Sequence, residues 1–399
     1  MAALSGLKLV DFGAFIAGPY AARILGDLGA TVIKVEPPGG ETMRPKDERI
    51  FSSHKGQNVV TRGTRDIVVD LKTEEGRSIV HKLISDADVV SQNMRPGVAE
   101  RLGIGYQDVK RINPSAIYLF SPGFGSTGPR SHLPSFEPLN SAFVGIHYRT
   151  GGEGNSPIQS MSLDGFCGLL AACGVMMALL HRQKTGEGQY MDVSQLASAM
   201  YYTSDTYKTS VGVVAPLPDL DKEQSGTSAL NRLYQTKDDW ICIACEKDFE
   251  WKSLCIALGI ESLVDEQGFQ TEKERYAHRD ELEEILSKIF QLKTSDDWFQ
   301  LLDQSHVPCE IPVMDGEERF LHTSAFVASG LVAEYDHPLW GLMREIGSVI
   351  NFSETPGRIF GPPSRLGQHT YEIMSELGYG SDDVKRLEDE GVIYASPKP

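Results

Sequence analysis

The sequence predicts an α/β protein: a large Rossmann-like domain with a smaller α+β domain attached. Three observations predict it. Residues 7–36 read as a β-α-β unit, the usual start of a parallel sheet with nucleotide affinity. Strand and helix patterns then keep alternating as far as Phe120. Finally, 399 residues are too many for one simple core, and a polar, Pro-containing stretch interrupts the chain in its second half.

In the opening unit, Leu7–Phe12 is a buried strand, and Gly13–Pro19 is a turn with Pro19 suited to a helix start. Tyr20–Leu28 is a helix ended by Gly29, and Thr31–Glu36 is the second strand. The turn lacks the G-x-G-x-x-G fingerprint, which argues against a dinucleotide oxidoreductase and leaves Glu36 weak as a ribose contact. Residues 67–72 read as a strand, 71–84 as a helix start and helix, 88–91 as a strand, and a helix runs to Arg101. Ala116–Phe120 is a further strand. Gln195–Met200 is helical, and 206–228 reads as a linker containing Pro216 and Pro218. A small domain over 229–313 follows. It opens with a hairpin-like pair, Asn231–Gln235 and Trp240–Ala244, and continues with helical periodicity at Phe249–Leu258, Arg279–Phe290 and Ser295–Gln304. Residues 314–334 are a return linker, and 335–399 contain two short helices.

Composition excludes several classes. Apolar and charged contents of 41% and 23% are ordinary for a globular chain. A net charge of −17 argues against nucleic acid and anionic membrane surfaces as partners. No signal-peptide pattern opens the chain, so a cytoplasmic location is expected. Six cysteines lie in apolar surroundings and read as reduced packing residues. Cys242 and Cys245 form a C-x-x-C on a strand. Residues three apart on a strand face opposite sides, so no metal site is expected there. Between Arg44 and Lys72 the balance inverts: seven basic residues stand against four acidic ones. That segment is either a solvated loop or an attractor for a polyanion.

The most informative stretch is Ser162–Ser194. Asp164 precedes sixteen residues without a charge, Gly165–Leu180, too short for the roughly 20 apolar residues a membrane span needs. A buried core helix is expected, with His181, Arg182 and Lys184 at its negative end. Asp164 has two readings. It is only the helix N-cap, or it is a capped carboxylate next to two glycines (Gly165, Gly168), exposed and able to form a covalent acyl intermediate.

The run D-G-x-x-G-L-x-A-A-x-G-V-x-x-A-L-L-H-R-x-K-T-G-E-G-Q from Asp164 resembles the central motif of the family III CoA-transferases. The opening, from Leu4 through I-A-G-P-Y-A-A to V-I-K-V-E-P-P-G-G-E, resembles theirs as well. So do Ser121–Pro129, Val307–Val313 and the tail motifs beginning at Ala333, Phe352 and Leu366. The resemblance implies that both chain ends build the large domain, as 1–205 and 335–399. It also implies that two chains form an interlocked homodimer. Asp164 inherits the nucleophile's role, and Glu137 and Phe136 substrate-positioning roles. Contacts to coenzyme A fall on Ile16 and Ala17, on Val69, Leu71 and Lys72, and on Asn93, Met94, Arg95 and Arg101. Arg101 has the best physical case among these, because a guanidinium suits phosphate oxygens. The expected substrates are an acyl-CoA and a small carboxylic acid, with no permanently bound cofactor.

The implied reaction carries CoA to a free acid through an aspartyl intermediate, with Asp164 ionised because an unperturbed carboxyl is already charged at neutral pH, and with backbone N–H groups near Gly165 receiving the developing oxyanion. Two alternatives stand beside it. An acyl-CoA racemase on the same fold needs a base on each face of a carbon. The α-methylacyl-CoA racemases place a His where this chain has Phe136, although His132 lies nearby. The other alternative is a non-catalytic CoA-binding subunit. Family members with a glycine-rich flap carry it in the 220s, where this chain retains Gly226.

Overall fold

The structure is a computed structural model that describes residues 1–44, 60–159, 163–204, 206–212 and 220–396. Ser162, Pro216, Pro218 and three of the seven basic residues (Lys46, Arg49, Lys55) lie outside the described residues. The chain divides into two compact units. One comprises Met1–Val144, Met161–Thr203 and Glu317–Pro399, and the other Gly145–Ser160 and Ser204–Gly316.

The larger unit is built on a seven-stranded sheet. Its strands are β1 (Lys8–Asp11), β2 (Thr31–Glu36), β3 (Arg65–Val69), β4 (Val89–Gln92), β5 (Ile117–Phe120), β6 (Tyr190–Asp192) and, from the far end of the chain, β13 (Ile393–Tyr394). Their order is β13-β3-β2-β1-β4-β5-β6. The six N-terminal strands pair in parallel, and β13 lies antiparallel on β3, with Ile393 opposite Val69. The parallel order 3-2-1-4-5-6 is that of a doubly wound Rossmann sheet, with its topological switch point between β1 and β4.

Strand residues alternate between two cores, as a period of two requires. Val10, Val35, Ile67, Val69, Val90 and Tyr118 join one cluster with helix α2 (Glu74–Ser85) and the C-terminal helices. Leu9, Val32, Val89, Ile117 and Leu119 join the other, with α1 (Ala17–Asp27). The short helices α3 (Val98–Arg101) and α4 (Tyr106–Ile112) follow β4. Next come α5 (Glu137–Phe143) and, in the smaller unit, α6 (Ile146–Gly151).

Helix α7 (Leu163–Thr185) has 23 residues, longer than the uncharged run inside it, and by length and composition it is apolar enough to cross a membrane. Only one face is buried, contrary to the expected core helix: Ala171, Ala172, Val175, Ala178 and Leu179 pack with α1 against the sheet. Leu169, Met176, Met177 and Leu180 are exposed. Gly168 is needed for that packing, since a Cβ there would stand 2.7 Å from the Tyr20 Cβ and 3.2 Å from the Ala21 nitrogen. It therefore serves helix-helix contact rather than the substrate approach expected of it. Helix α8 (Gln195–Tyr202) follows β6 and is capped by the Ser194 hydroxyl.

The smaller unit carries the sheet β10-β9-β8-β7, formed by β7 (Gly226–Ser228), β8 (Asn231–Gln235), β9 (Trp240–Ala244) and β10 (Cys309–Glu310). Its core packs Trp251, Leu254, Leu282, Leu286, Phe290 and Trp298 from α9 (Asp248–Leu258), α11 (Arg279–Phe290) and α12 (Ser295–Gln304). The six-residue α10 (Glu272–Ala277) lies between the first two of these helices.

The domain boundaries differ from expectation in three places. Gly145–Ser160 groups with the smaller unit, and the expected linker ends in strand β7. The expected return linker is structured: α13 (Gly316–His322) and α14 (Ser324–Ala328) lead into the hairpin β11 (Val332–His337) and β12 (Gly341–Ile346). None of these segments carries a long apolar period, which is why sequence patterning passes over them. Helices α15 (Thr370–Glu376) and α16 (Ser381–Asp389) precede β13.

The cysteines are free. Burial pushes the Cys245 and Cys255 thiols up to about 12 and those of Cys167 and Cys309 to about 11. Cys173 departs from the expected packing role, because α7 carries it on its exposed face.

Candidate active site

Open α/β sheets bind ligands in the crevice beyond the carboxyl ends of their strands, at the switch point. A cavity of about 250 Å³ lies there. Its wall is drawn from the segments that leave four parallel strands. Ala14, Phe15 and Ala17 follow β1; Asn93, Met94 and Arg95 follow β4; Ser121 follows β5; Gln195 follows β6. Asp164, Ser135 and Phe136 line it too, as do Ser131 and Leu133 on either side of His132. Larger cavities of about 590 and 850 Å³ lie around Tyr371–Asp389 and around Thr227–Leu282. The smaller cavity is preferred for its place at the strand ends and its carboxylate.

The loop after β1 is held rigidly. Lys34, buried in β2, pairs with Asp11 at 2.9 Å and also donates to the Gly13 carbonyl. Asp11 accepts from the Gly13 N–H at 2.9 Å and from the Ser91 hydroxyl at 2.7 Å. Asn93 clamps the same loop by accepting from the Ala14 N–H at 2.8 Å and donating to the Ala14 carbonyl at 2.7 Å. Gly18 permits this approach, since a Cβ there would meet the Asn93 Cγ at 2.9 Å. Phe15 takes a left-handed backbone, φ 59°, and sets its ring edge-on to Phe136 at 5.3 Å.

Asp164 lies in the first turn of α7, which starts at Leu163, so it is not the N-cap. One carboxylate oxygen, Oδ1, accepts a hydrogen bond from the Gln195 side-chain amide. The amide oxygen of Gln195 is engaged in turn by Asn140 Nδ2 at 3.2 Å and by the Ser135 hydroxyl at 3.4 Å. Burial pushes the Asp164 carboxyl above its ordinary value. The Gln195 hydrogen bond opposes that rise, and the charge of Glu137 adds to it. The sequence-based expectation of an unperturbed carboxyl is therefore corrected, and desolvation is the physical reason.

The other expected residues divide. Ala17, Asn93, Met94, Arg95 and Phe136 line the cavity with Asp164. Ile16 sits at the start of α1, and its carbonyl accepts from the Tyr20 N–H at 2.9 Å. Glu137 is buried as the first residue of α5 and accepts from the Ser141 hydroxyl at 2.6 Å. It faces Asp164 as a charge rather than as cavity wall. Val69 and Leu71 are core residues, and Lys72 is exposed outside this cavity. Arg101 is exposed, donates to the Gly97 carbonyl at 2.9 Å and does not line the cavity. The Asn93 side chain is taken up by its own chain.

The described arginines of the basic segment are paired internally. Arg44 bonds Glu36 and Asp66, Arg62 bonds Asp27, and Arg65 bonds Glu372 and Glu376. This also removes Glu36 as a ribose contact.

Sequence reasoning missed Gln195, Ser121 and Phe15. Gln195 had one local signal, a polar residue at the first position of an apolar helix directly after a strand. Ser121 is 3% exposed, and its hydroxyl has no hydrogen-bond partner among the described residues. The conformation of Phe15 has no signal in residue type.

A doubly wound α/β enzyme with an amide-held carboxylate at its switch point is the class that this fold and site define. A family model, CoA-transferase family III, matches residues 4–370, and the chain belongs to that family. An acyl-CoA transferase of Fusarium pseudograminearum is 32% identical over 98% of this chain and 88% of its own length. The succinyl-CoA:glutarate CoA-transferase of Mus musculus is 31% identical over 98% of this chain and 91% of its own. Among solved structures, a CAIB/BAIF family protein from Brucella suis aligns with a TM-score of 0.78 at 28% identity, covering 94% of this chain and 99% of that one.

Proposed function

We propose that this enzyme moves CoA from an acyl-CoA to a free carboxylic acid through a covalent intermediate on Asp164. The observation that carries the reading is the carboxylate of Asp164 in a strand-end cavity, held through one oxygen by a neutral amide. Its other oxygen attacks the donor thioester carbonyl, the C–S bond breaks, and CoA leaves as thiolate from a mixed anhydride. The thiolate then attacks the aspartyl carbonyl carbon and releases the donor acid as carboxylate, which leaves an aspartyl-CoA thioester. The acceptor acid repeats the two steps in reverse. The activated bond never passes to water, so no nucleotide hydrolysis is needed.

The acyl groups are short, in keeping with a cavity of about 250 Å³. Relatives named for succinyl-CoA with glutarate, and for acetyl-CoA with oxalate, suggest small dicarboxylic acids. Arg95, exposed at the wall, offers positive charge to an anionic substrate. Racemisation is disfavoured because Phe136 supplies no base and the exposed His132 is not among the cavity's lining residues. A homodimer, interlocked as the family resemblance implies, is part of the proposal. The exposed apolar residues of α7 and α8, among them Met177, Leu180, Tyr201 and Tyr202, are the surface it would cover.

Intact-protein mass spectrometry after incubation with succinyl-CoA or acetyl-CoA and hydroxylamine tests the chemistry. A hydroxamate at Asp164 is expected, and Asp164→Ala should lose it together with turnover, by about 10⁴-fold or more, as for other covalent nucleophiles. CoA binding without any adduct would point to the non-catalytic subunit instead.

A further inference from the structure

We propose that Gln195 is a catalytic residue whose side-chain N–H receives the oxyanion that develops on Asp164 when the CoA thiolate attacks the aspartyl carbonyl. The inference rests on the reading of Asp164 as nucleophile and adds a residue that this reading does not require.

The direction of the amide is settled by its surroundings. The Gln195 Oε1 accepts from Asn140 Nδ2 at 3.2 Å and from the Ser135 hydroxyl at 3.4 Å. Asn140 is fully buried, and its Nδ2 also donates to the Ser135 oxygen at 2.8 Å and the Phe136 carbonyl at 3.3 Å. With donors on Oε1, the NH₂ end of Gln195 has to point at Asp164. The backbone fixes the other end. Gln195 N donates to the Pro122 carbonyl at 3.0 Å, and Ser194 caps the helix by accepting from the Ala197 N–H at 3.0 Å. Gln195 is therefore pre-organised from both sides.

The bond goes to Oδ1, which leaves Oδ2 as the oxygen that acylates. In the anhydride, Oδ2 bridges and Oδ1 is the aspartyl carbonyl oxygen. The thiolate sulfur bonds to the aspartyl carbonyl carbon, and the C=O π pair moves onto Oδ1, where the Gln195 N–H already lies. The pair then returns, the bond from that carbon to Oδ2 breaks, and Oδ2 departs within the donor carboxylate. A donor placed where charge develops, in a partly desolvated site, needs no reorganisation at that moment. A neutral amide suits the role, because a cation would also bind the resting carboxylate tightly and weaken it as a nucleophile.

The test uses the full-length wild type, Gln195→Leu and Gln195→Glu, with succinyl-CoA as donor and glutarate as acceptor. For Gln195→Leu, kcat should fall about 10²–10³-fold, as when one oxyanion donor is removed, while KM for each substrate moves less than about threefold. Direct titration of the Asp164 carboxyl carbon by ¹³C NMR should show a higher midpoint in Gln195→Leu, because the lost hydrogen bond was holding it down. If the leucine variant does not fold, Gln195→Glu keeps the size, lacks the donor when ionised and should show the same loss of kcat. A folded variant with kcat within about threefold of wild type, or an unmoved Asp164 midpoint, overturns the inference. An Asp164 adduct in the wild type with unimpaired turnover in the variants removes the inference alone. No adduct in the wild type removes the nucleophile and the inference together.

Discussion

Two carboxylate sites of the larger unit are neutralised in opposite ways. At the end of β2 and near the start of β3, Glu36 and Asp66 share one guanidinium. Arg44 donates from Nε to both Glu36 oxygens at 2.8 and 2.9 Å and from Nη2 to Asp66 at 3.0 Å. In the first turn of α7, Asp164 accepts from the neutral amide of Gln195, its one side-chain partner among the described residues. Burial pushes every one of these carboxyls up. At Glu36 the Arg44 hydrogen bonds and charge overcome that and hold it at about 2. Asp66 stays raised, first by burial and then by the Glu36 charge beside it. Asp164 also stays raised, because the Gln195 hydrogen bond does not offset desolvation and the Glu137 charge. The difference separates a carboxylate that fastens the fold from one left available for chemistry. The first receives a cation and the second receives a dipole.

The largest expected effect on stability breaks the structural cluster. Arg44→Ala strands two carboxylates in the interior and should destabilise the protein by about 3–5 kcal/mol, read as a lower denaturant midpoint. If the Arg44 cluster only fastens the fold, activity of the folded fraction stays near wild type.

A smaller effect of opposite sign is expected at Asp164. Its folded pKa lies above its unfolded value, so its favourable contribution is complete below that unfolded value and is lost as pH rises through the folded one. At pH 7 the ionised group therefore opposes folding. Asp164→Asn should raise the melting temperature at pH 7, with the gap to wild type closing as pH falls toward 4, while turnover is abolished. A melting temperature lowered at pH 7 would place Asp164 with the structural carboxylates.

The smallest effect is at Ser121. Its hydroxyl is buried without a partner among the described residues at the cavity wall, so Ser121→Ala should change stability by less than about 0.5 kcal/mol. If the hydroxyl meets substrate, KM rises by roughly tenfold, the equivalent of about 1.4 kcal/mol of lost binding. Steady-state kinetics beside a thermal melt distinguish the two.

Local pattern carried the elements that bury apolar residues at a regular period. The strand Thr31–Glu36, the hairpin pair Asn231–Gln235 and Trp240–Ala244, and the helices Arg279–Phe290 and Ser295–Gln304 are observed with the bounds read from sequence. The assignment of Gly145–Ser160 to the smaller unit was not legible, because it depends on contacts with residues after Ser204 rather than on any period of its own. Within the site, motif resemblance found Asp164, Ala17, Asn93, Met94, Arg95 and Phe136, which the cavity brings together. It also named Val69, Leu71, Lys72 and Arg101, which lie outside that cavity.

The sequence by itself determined the alternation of strands and helices, the family and the carboxylate at position 164. These are properties of residue type and spacing along one segment. Tertiary structure decided the strand order 3-2-1-4-5-6, and with it which strand ends meet at the cavity. It also decided that Gln195 lies against Asp164, that Asn140 and Ser135 fix its amide, and that Arg44 is spent on Glu36 and Asp66. Hydrogen bonds and desolvation depend on distances between residues far apart in the chain, and only the packed sheet sets those distances.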